Sequence, residues 1–411
     1  MNRKSDKQLV VGLDIGTAKV VAIVGEYEPG EPVEVIGIGS HVSRGLKRGV
    51  VVDIEATVNS IQRAVEEAEL MVGCDIRSVY ASISGSHLET RNSQGTAAIR
   101  DGEVTRTDME QVLAAARAVA IPADRQVLFT EAQEYRIDGQ EGIRRPVGMS
   151  GVRLEANVHM VTAAASAAQN ISKCIRRCGL SVDELVPSAL ASARAVLTED
   201  ERDLGVCLVD IGAGTTDIAI YAQGAIRFTK SLPLGGDLVT NDIAYGVHTP
   251  TMHAEELKVK YACALAQLAH SEETVQVPSV GDRESRRWAR QQLAQVVQAR
   301  YEEIFEEVQR ELQRSGYDSL VAAGIVLTGG ASRMEGAQQL AEEIFHKMVR
   351  VGRPQHVGGM VDVVASEPHS TSVGLLLHGA AMGGMQAVPG PMAGGMGNVL
   401  GRVRGWLEKN F

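Results

Sequence analysis

Residues 10–25 read VVGLDIGTAKVVAIVG, and residues 207–224 read CLVDIGAGTTDIAIYAQG. Each stretch contains a run of apolar and β-branched residues, the triplet Asp-Ile-Gly, a short turn of small residues and a second apolar run. This order predicts a β-hairpin in both places. Because the same unusual hairpin occurs twice, far apart in the chain, we predict a duplicated architecture of two similar lobes that each open with it.

The composition is that of a folded α/β protein. Hydrophobic residues make up 44% of the 411 residues, aromatic residues only 4%, and there are 43 glycines. This combination favours strands and helices joined by many tight turns over a sandwich packed with aromatic side chains. The formal net charge of −10 argues against nucleic acid as the main partner. The odd number of cysteines, five, indicates reduced thiols and a cytosolic location.

The Asp-Ile-Gly turns carry the residue types that bind a polyphosphate. Gly16 and Gly212 allow a tight turn in which successive backbone N–H groups form a concave anion-binding site. Hydroxyl groups that can serve as further donors follow in both turns: Thr17, Thr215 and Thr216. Because Asp14 and Asp210 would repel a bare phosphate, we expect Mg²⁺ between them and the ligand, held through water molecules. Two facing hairpins would then clamp the ligand from both sides.

A third element supports the same chemistry. The stretch VLTGGASRMEG, residues 326–336, has an apolar strand pattern, the pair Gly329 and Gly330, and then a helix pattern. A glycine pair between strand and helix lets the backbone approach a flat or phosphate-bearing ligand closely. Each of the three elements alone is an ordinary turn. Their combination in this order and spacing predicts a nucleotide site.

These motifs resemble the superfamily of two-lobed ATP-binding proteins that contains actin, Hsp70 and the sugar kinases. GLDIGT is similar to its first phosphate loop, VDIGAGTTDIAIY to its second and VLTGGAS to its adenosine loop. VPSALASARAVL and SVGLLLHGA are similar to its two connecting helices, and LPLGGD and AEELKVKYA to further nucleotide-contacting segments. The resemblance implies ATP and Mg²⁺ as ligands. It implies the following nucleotide-binding residues: Asp14, Gly16, Thr17, Lys19, Asp210, Gly212, Gly214, Thr215, Thr216, Gly235, Gly236, Glu255, Lys258, Gly329 and Gly330.

Within this superfamily the chain resembles the FtsA family of bacterial cell-division proteins. The stretches SRGLKRGVVVDIEATVNSIQRAVEEAE, SISGSHLETRNSQGTAAIRDGEVT and RRPVGMSGVRLEANVHMVTA carry the likeness, which covers nearly the whole chain. The resemblance implies a protein that binds ATP, polymerises like actin and recruits later division proteins. It also implies attachment of the tubulin-like FtsZ ring to the cytoplasmic face of the inner membrane at the septum, as a peripheral membrane protein.

The predicted fold is therefore α/β, a two-lobed actin-like ATPase fold with duplicated RNase H-like lobes, an inserted subdomain and a C-terminal amphipathic helix. We assign residues 8–85, 154–204 and 372–382 to the core of lobe 1, and residues 86–153 to the insert. Residues 205–239 and 312–371 form the core of lobe 2, and residues 240–311 a helical subdomain. Residues 383–397 are a flexible linker, and residues 398–411 the membrane-targeting helix.

Other functions remain open from the residues alone. A small-molecule kinase needs a catalytic base between the lobes, and no acidic residue stands in a recognisable base motif. A chaperone of the Hsp70 type needs a peptide-binding β-domain after the nucleotide lobes, and we expect none here. A pilus-assembly or cell-shape protein of the same fold is a further alternative, although the insert argues against the cell-shape type. We expect at most slow, Mg²⁺-dependent ATP hydrolysis, because positioning and charge neutralisation supply most of phosphoryl-transfer catalysis.

Residues 283–308, RESRRWARQQLAQVVQARYEEIFEEV, suggest a binding surface for a partner. We predict one helix with a basic start and an acidic end, which is the reverse of the order that the helix dipole favours. The resemblance implies that this subdomain receives the acidic and apolar C-terminal tail of FtsZ. We assign that contact to Arg286 and Arg300.

The last residues, VLGRVRGWLEKNF, follow the tether GGMQAVPGPMAGGMG. On a helical wheel the apolar residues share one face and the basic residues lie opposite or at its flanks. This pattern predicts an interfacial helix on an anionic membrane, weak alone and strengthened when subunits assemble side by side. Docking on the protein's own core is the alternative. The predicted membrane-binding residues are Val399, Leu400, Arg402, Val403, Arg404, Trp406, Leu407, Lys409 and Phe411.

Overall fold

The computed structural model describes residues 7–281 and 284–383, and the backbone of residues 385–386. The first segment contains β1 Gln8–Ile15, β2 Lys19–Tyr27, β3 Val33–Val42, β4 Leu46–Lys47, β5 Val50–Val51, α1 Ile54–Val72 and β6 Ser78–Ile83. Helix α1 begins where the Asp53 side chain accepts a hydrogen bond from the backbone N–H of Ala56, and it ends at Gly73 in the left-handed conformation. Its apolar face packs against the first hairpin.

The insert follows directly. It contains β7 Leu88–Ala98, α2 Arg106–Arg117, β8 Arg125–Ile137, β9 Gln140–Ile143 and β10 Arg153–Ala164. The four strands form an antiparallel sheet in the order β7-β10-β8-β9. Strand β10 pairs with β7 and β8 along its whole length. The insert therefore extends to residue 164, beyond the boundary predicted at residue 153, and residues 154–164 do not belong to the lobe 1 sheet.

The chain then returns to lobe 1 and crosses to lobe 2. The returning elements are α3 Ala165–Arg177, β11 Ser181–Pro187, α4 Ser188–Val196 and α5 Glu199–Leu204. The following elements are β12 Val206–Ile211, β13 Thr216–Ala222, β14 Ala225–Leu232, α6 Gly236–Gly246, α7 Thr251–Tyr261, β15 Thr274–Val277, β16 Arg286–Ala289 and α8 Arg290–Ser315. The subdomain at 240–311 is mostly helical, as expected, but it also contains the β15–β16 hairpin.

The last described elements are β17 Ile325–Thr328, α9 Ala337–Phe345, β18 Val349–Val351, β19 Val357–Gly359, α10 Val361–Val364, α11 Ser370–Met382 and β20 Met385–Gln386. Strand β19 pairs with β3, so the chain has returned to the lobe 1 sheet by residue 357. This corrects the assignment of residues 312–371 to lobe 2. The linker and the C-terminal helix, predicted at 383–397 and 398–411, lie outside the described residues, apart from Gly383 and the backbone of 385–386.

The two main sheets repeat one topology, which confirms the predicted duplication. Lobe 1 has the strand order β3-β2-β1-β6-β11, and lobe 2 the order β14-β13-β12-β17-β18. In both sheets a three-stranded antiparallel unit is extended by two parallel strands. This is the α/β architecture of two similar lobes that the repeated hairpins indicated.

Helices α4 and α11 join the lobes. Their side chains share one apolar core with strands of both sheets, including Val21, Leu208, Ala193 and Val373. The helices cross so closely that a Cβ atom added at Gly374 would lie 1.8 Å from the carbonyl oxygen of Ala191. Among the described helices, none combines the length and the apolar character that a membrane span requires.

Candidate functional site

The first Asp-Ile-Gly hairpin turns between β1 and β2. The backbone N–H of Gly16 donates to the carbonyl of Lys19 at 3.1 Å, and an added Cβ atom at Gly16 would lie 2.8 Å from that oxygen. The Asp14 carboxylate accepts a hydrogen bond from Ser82 Oγ at 2.8 Å. Burial is the main reason that the pKa of Asp14 is raised to about 6, and the carboxylate of Asp210 contributes to the rise. The turn therefore presents a carboxyl group whose charged form a nearby cation would stabilise.

The second hairpin repeats this turn between β12 and β13. Gly212 N–H donates to the Thr215 carbonyl at 2.9 Å, the counterpart of the bond between Gly16 and Lys19. The Asp210 carboxylate accepts hydrogen bonds from Ser192 Oγ at 2.5 Å and Thr371 Oγ1 at 3.2 Å. These donors lie on α4 and α11, the two helices that join the lobes. Burial raises the pKa of Asp210 as well.

The two hairpins face each other at close range. A Cβ atom added at Gly214 would lie 2.4 Å from Thr17 Oγ1 and 3.0 Å from the Cα atom of Arg48. Thr17 Oγ1 also accepts a weak hydrogen bond from the N–H of Gly49 at 3.4 Å. The absence of a side chain at Gly214 therefore sets the spacing between the lobes at this point.

Asp14 and Asp210 fit the donor set expected for Mg²⁺. The pKa values of both carboxyl groups are raised, mainly by desolvation, so a cation beside them would stabilise their charged forms. Within residues 7–281 and 284–383, no group of three or more His, Cys, Asp or Glu side chains is arranged to hold a metal ion. A cation at these two carboxylates would thus complete its coordination with water and phosphate oxygens, as Mg²⁺ commonly does.

The predicted adenosine side of the site lies next to the second hairpin. Gly329 has a positive φ of 85°, and a Cβ atom there would lie 2.2 Å from Asp210 Oδ1. Gly329 therefore lies directly against the Asp210 carboxylate. Tyr301, fully buried on α8, donates from its hydroxyl to the carbonyl of Ala331 at 2.7 Å and fixes the turn after the pair.

The start of α6 is tied to the same hairpin. Gly236 N–H donates to Gly212 O at 3.0 Å, and a Cβ atom at Gly235 would lie 2.5 Å from the carbonyl of Ala213. Lys258 Nζ reaches across from α7 to bond Gly236 O at 3.2 Å, and it pairs with Glu255 at 2.7 Å. The structure thus brings Gly235, Gly236, Glu255 and Lys258 together beside the second hairpin.

Two of the predicted residues have structural partners instead of a free polar group. Thr216 is fully buried and donates from its hydroxyl to the carbonyl of Leu234 at 2.9 Å. Thr215 Oγ1 donates to Asp217 at 3.1 Å. Lys19 is half-buried, and burial lowers the pKa of its ammonium group. Of these three side chains, Lys19 is the one placed to neutralise an anion beside Asp14.

Several polar residues of this region were not predicted from the sequence. They share a position around the two hairpins: Ser82, Ser84, Ser192, Asp217 and Thr371. Ser84 Oγ bonds both carboxylate oxygens of Asp217 at 2.8 and 2.7 Å, and burial raises the pKa of Asp217 to about 7. Ser82 and Ser84 were predictable, because the carboxyl ends of the parallel strands β1 and β6 lie at one sheet edge.

The predicted partner surface differs from expectation in its secondary structure. Arg286 lies in strand β16, and the helix begins only at Arg290, so the single helix predicted over residues 283–308 is wrong. Pairing of Arg286 with Val277 explains the difference, since a cross-strand partner cannot be read from the local pattern. Arg286 Nη2 donates to the carbonyl of Val247 at 2.8 Å. Arg300 forms two hydrogen bonds with Asp242, at 2.5 and 3.0 Å, and a further ion pair with Glu303.

Comparison with known proteins places the chain in a family. Residues 207–374 match the family model described as cell division protein FtsA, and residues 85–162 match the model of the SHS2 domain inserted in FtsA. A cell division protein FtsA of Pseudomonas aeruginosa is 58% identical over 414 aligned positions, which cover 98% of each chain. The chain belongs to the FtsA family. The resemblance stated from the sequence is confirmed, and the FtsA insert model ends near the observed end of β10.

Solved structures show the same fold outside the FtsA family. A type IV pilus biogenesis complex of PilM and PilN has a TM-score of 0.64 and 17% identity, covering 90% of this chain and 98% of the other. MreB5 of Spiroplasma citri bound to ADP has a TM-score of 0.54 and 13% identity, covering 92% and 98%. At these identities the likeness shows the fold alone. The actin-like architecture predicted from the motifs is confirmed.

Proposed function

We propose that this member of the FtsA family is an ATP-binding, actin-like scaffold of the division septum. The observation that carries the proposal is the pair of facing Asp-Ile-Gly hairpins, which bring the carboxyl groups of Asp14 and Asp210, both with raised pKa values, beside two turns that present backbone N–H groups. The MreB5 structure, whose fold is similar, contains ADP. We assign the protein to the cytoplasmic face of the inner membrane, where it is peripherally bound.

The residues of the site divide into two groups under this proposal. The turns at Gly16 and Gly212 present N–H groups to the phosphates, with Thr17 and Lys19 beside the first turn. The nucleoside lies on the other side, against the segments that hold Gly235, Gly236, Glu255, Lys258, Gly329 and Gly330. Asp14 and Asp210 would hold Mg²⁺ through water, and the bound ion would neutralise phosphate charge. Hydrolysis, if it occurs, is slow.

A nucleotide titration tests the proposal. Binding of a fluorescent ATP analogue is measured with and without Mg²⁺ for the wild type, Asp210→Ala and Asp200→Ala. Asp200 is an exposed aspartate of α5 and serves as the matched control. We expect Mg²⁺-dependent binding in the wild type and the control, and a loss of at least about tenfold in Asp210→Ala, because a charge-assisted contact contributes about 1.5–3 kcal/mol. Equal binding by a folded Asp210→Ala would contradict the proposal.

We propose that the helical subdomain binds the C-terminal tail of FtsZ through Arg286 and Arg300. Arg286 is exposed, and its guanidinium group donates a hydrogen bond to the backbone carbonyl of Val247. Its positive charge is therefore accessible to an acidic peptide. Arg300 is already balanced by Asp242 and Glu303, and a peptide carboxylate must compete with them. We therefore expect Arg286 to contribute more affinity than Arg300.

A peptide titration distinguishes the two arginines. A synthetic FtsZ tail is titrated into wild type, Arg286→Glu, Arg300→Glu and the control Arg310→Glu, whose side chain is half exposed farther along α8. We expect the affinity to fall most in Arg286→Glu, less in Arg300→Glu and hardly at all in the control. Unchanged affinity in Arg300→Glu would remove that residue from the assignment.

We propose that residues 399–411 attach the protein to anionic lipid, and that assembly into filaments strengthens the attachment. The sequence pattern supports the first part, and the pairing of β20 with Gln8 and Leu9 puts the start of the linker beside lobe 1. A chain truncated after Gly397 should fail to sediment with anionic vesicles, whereas a chain with Glu408→Gln should sediment at least as well as the wild type. Sedimentation of the truncated chain would contradict the proposal.

We further propose, as part of the scaffold function, that the insert recruits later division proteins.

A further inference from the structure

The insert is bound to a different lobe from the one that carries it in the chain. It leaves lobe 1 after β6 and returns to lobe 1 at α3. Nevertheless, its strands β7, β8 and β10 contact β14, the edge strand of the lobe 2 sheet. The insert therefore bridges the two lobes at a place where the chain itself does not cross.

The central part of the bridge is formed by side-chain hydrogen bonds from the insert to residues 226–229 of β14. Gln133 Nε2 donates to Ile226 O at 2.7 Å, Asn92 Nδ2 to Arg227 O at 3.2 Å, and Thr90 Oγ1 to Thr229 O at 3.1 Å. The His159 ring contacts Thr229 Oγ1 through Nε2 at 3.1 Å. We call the contact of Thr90, Asn92, Gln133 and His159 with β14 the seam.

The seam is internally connected, and its centre is buried, whereas Asn92 at its rim is exposed. His159 is 1% exposed, Thr229 4% and Gln133 9%. Asn92 Oδ1 lies 2.7 Å from His159 Nδ1 and 3.4 Å from Gln133 Nε2, so the three side chains hold one another in place. Val161 of the insert shares an apolar core with Ile226 of β14. Separating the two surfaces would leave buried polar groups without partners, which is costly.

Strand β14 also leads to the second Asp-Ile-Gly hairpin. Ser231, two residues beyond Thr229 on β14, accepts a hydrogen bond from Gly85 N–H at 2.9 Å, and Ser84 bonds the Asp217 carboxylate. Asp217 lies at the start of β13, directly after the turn of this hairpin. A shallow pocket, partly open to solvent, lies between Thr90, Asp217 and Thr229. Insert, lobe 1 and hairpin therefore meet at one junction.

We infer that the insert is a clasp that holds the two lobes in a fixed relative orientation. Rotation of lobe 2 about α4 and α11 must either break the seam or pull the insert away from lobe 1. The seam thus opposes lobe motion, and a partner protein that pulls on the insert would loosen the cleft. The expected effect on the rate of nucleotide release rests on the proposed function, whereas the expected effect on lobe orientation does not depend on it.

Two measurements on the full-length protein test the clasp. The seam variant combines Gln133→Leu with Thr90→Val, which keep similar side-chain shapes and remove two hydrogen bonds to β14 and the contact between Gln133 and Asn92. Arg144→Ala is the control, because Arg144 also bridges the insert to Asp203 and Gln223, but at an exposed position. Spin labels at the exposed positions Val42 of lobe 1 and Tyr245 of lobe 2 report the interlobe distance without nucleotide, with Cys74 and Cys178 replaced by Ser.

We expect a broader distance distribution in the seam variant. We also expect a fluorescent ATP analogue to be released about fivefold faster, which is the change that loss of a typical hydrogen bond produces. The control should match the wild type in both measurements. An unchanged distance distribution in a folded seam variant would overturn the clasp. If Thr90→Val alone must be used because the double variant does not fold, the same two outcomes decide. A wild type that binds no nucleotide would contradict the proposed function only, and the distance measurement would still decide the clasp.

Discussion

Gly214→Ala is expected to separate the two hairpins. The new Cβ atom would lie 2.4 Å from Thr17 Oγ1 and 3.0 Å from the Arg48 Cα atom, whereas ordinary contacts begin at 3.4 Å. The hairpins must therefore move apart by about 1 Å, and a hydrogen bond to phosphate does not survive such a shift from its usual 2.7–3.2 Å. Losing one charge-assisted bond costs about 1.5–3 kcal/mol, so the dissociation constant for Mg·ATP should rise about ten- to a hundredfold.

The assay is a fluorescence titration with an ATP analogue, accompanied by urea unfolding. Gly246→Ala is the control, because its Cβ atom would meet nothing closer than Val296 at 3.5 Å. The control should bind as the wild type does. If Gly214→Ala unfolds at the same urea concentration as the wild type and also binds ATP equally well, the two hairpins do not jointly hold the phosphates, and the reasoning is refuted.

Three further predictions concern other parts of the molecule. Gly374→Ala forces the connecting helices apart, because its Cβ atom would lie 1.8 Å from the carbonyl oxygen of Ala191. The free energy of unfolding, measured in urea, should fall by about 3 kcal/mol. A smaller loss of free energy than in Gly246→Ala would contradict this prediction. Burial lowers the pKa of His159 from 6.5 to about 4, so its contribution to stability is complete above pH 6.5 and is lost as the pH falls towards 4. Over that window the wild type should lose about 3 kcal/mol more than His159→Gln, and equal pH profiles of the urea midpoints would disprove it. Lys258→Met keeps the aliphatic stem but removes the bonds to Gly236 O and Glu255. The dissociation constant for ATP should rise about tenfold in the fluorescence titration. An unchanged dissociation constant would exclude Lys258 from the site.

The repeated hairpin was sufficient to predict two similar lobes, because it specifies both local structure and the duplication, whereas the actin-like fold was implied by the resemblance of several motifs to a superfamily. The boundaries of the units were not predictable in the same way. Strands β10 and β19 have ordinary strand patterns, and nothing in their own residues tells which sheet they join. Sheet membership depends on pairing with residues far away in the chain, so β10 was assigned to lobe 1 and β19 to lobe 2.

The candidate site was predictable where backbone geometry dictates the residue type. Gly214 and Gly329 lie where a side chain would collide with Thr17 or Asp210, and glycine motifs marked both. Hydroxyl groups that bond the aspartates were harder to predict. Ser192 and Thr371 lie in apolar helix patterns that look like core, and their role arises only because α4 and α11 cross beside Asp210. Such a role depends on tertiary packing and leaves no local signal.

The duplication is symmetric in topology but not in the way the two aspartates are held. Asp14 is bonded by Ser82, which belongs to the neighbouring strand of the same sheet, so its position is fixed within lobe 1. Asp210 is bonded by Ser192 and Thr371, which belong to the helices that connect the lobes. A change in the crossing of these helices must therefore move the donors of Asp210 and leave those of Asp14 in place. The aspartate of the second hairpin is thus the one held by the helices that connect the lobes, and this hairpin is also the one next to the seam.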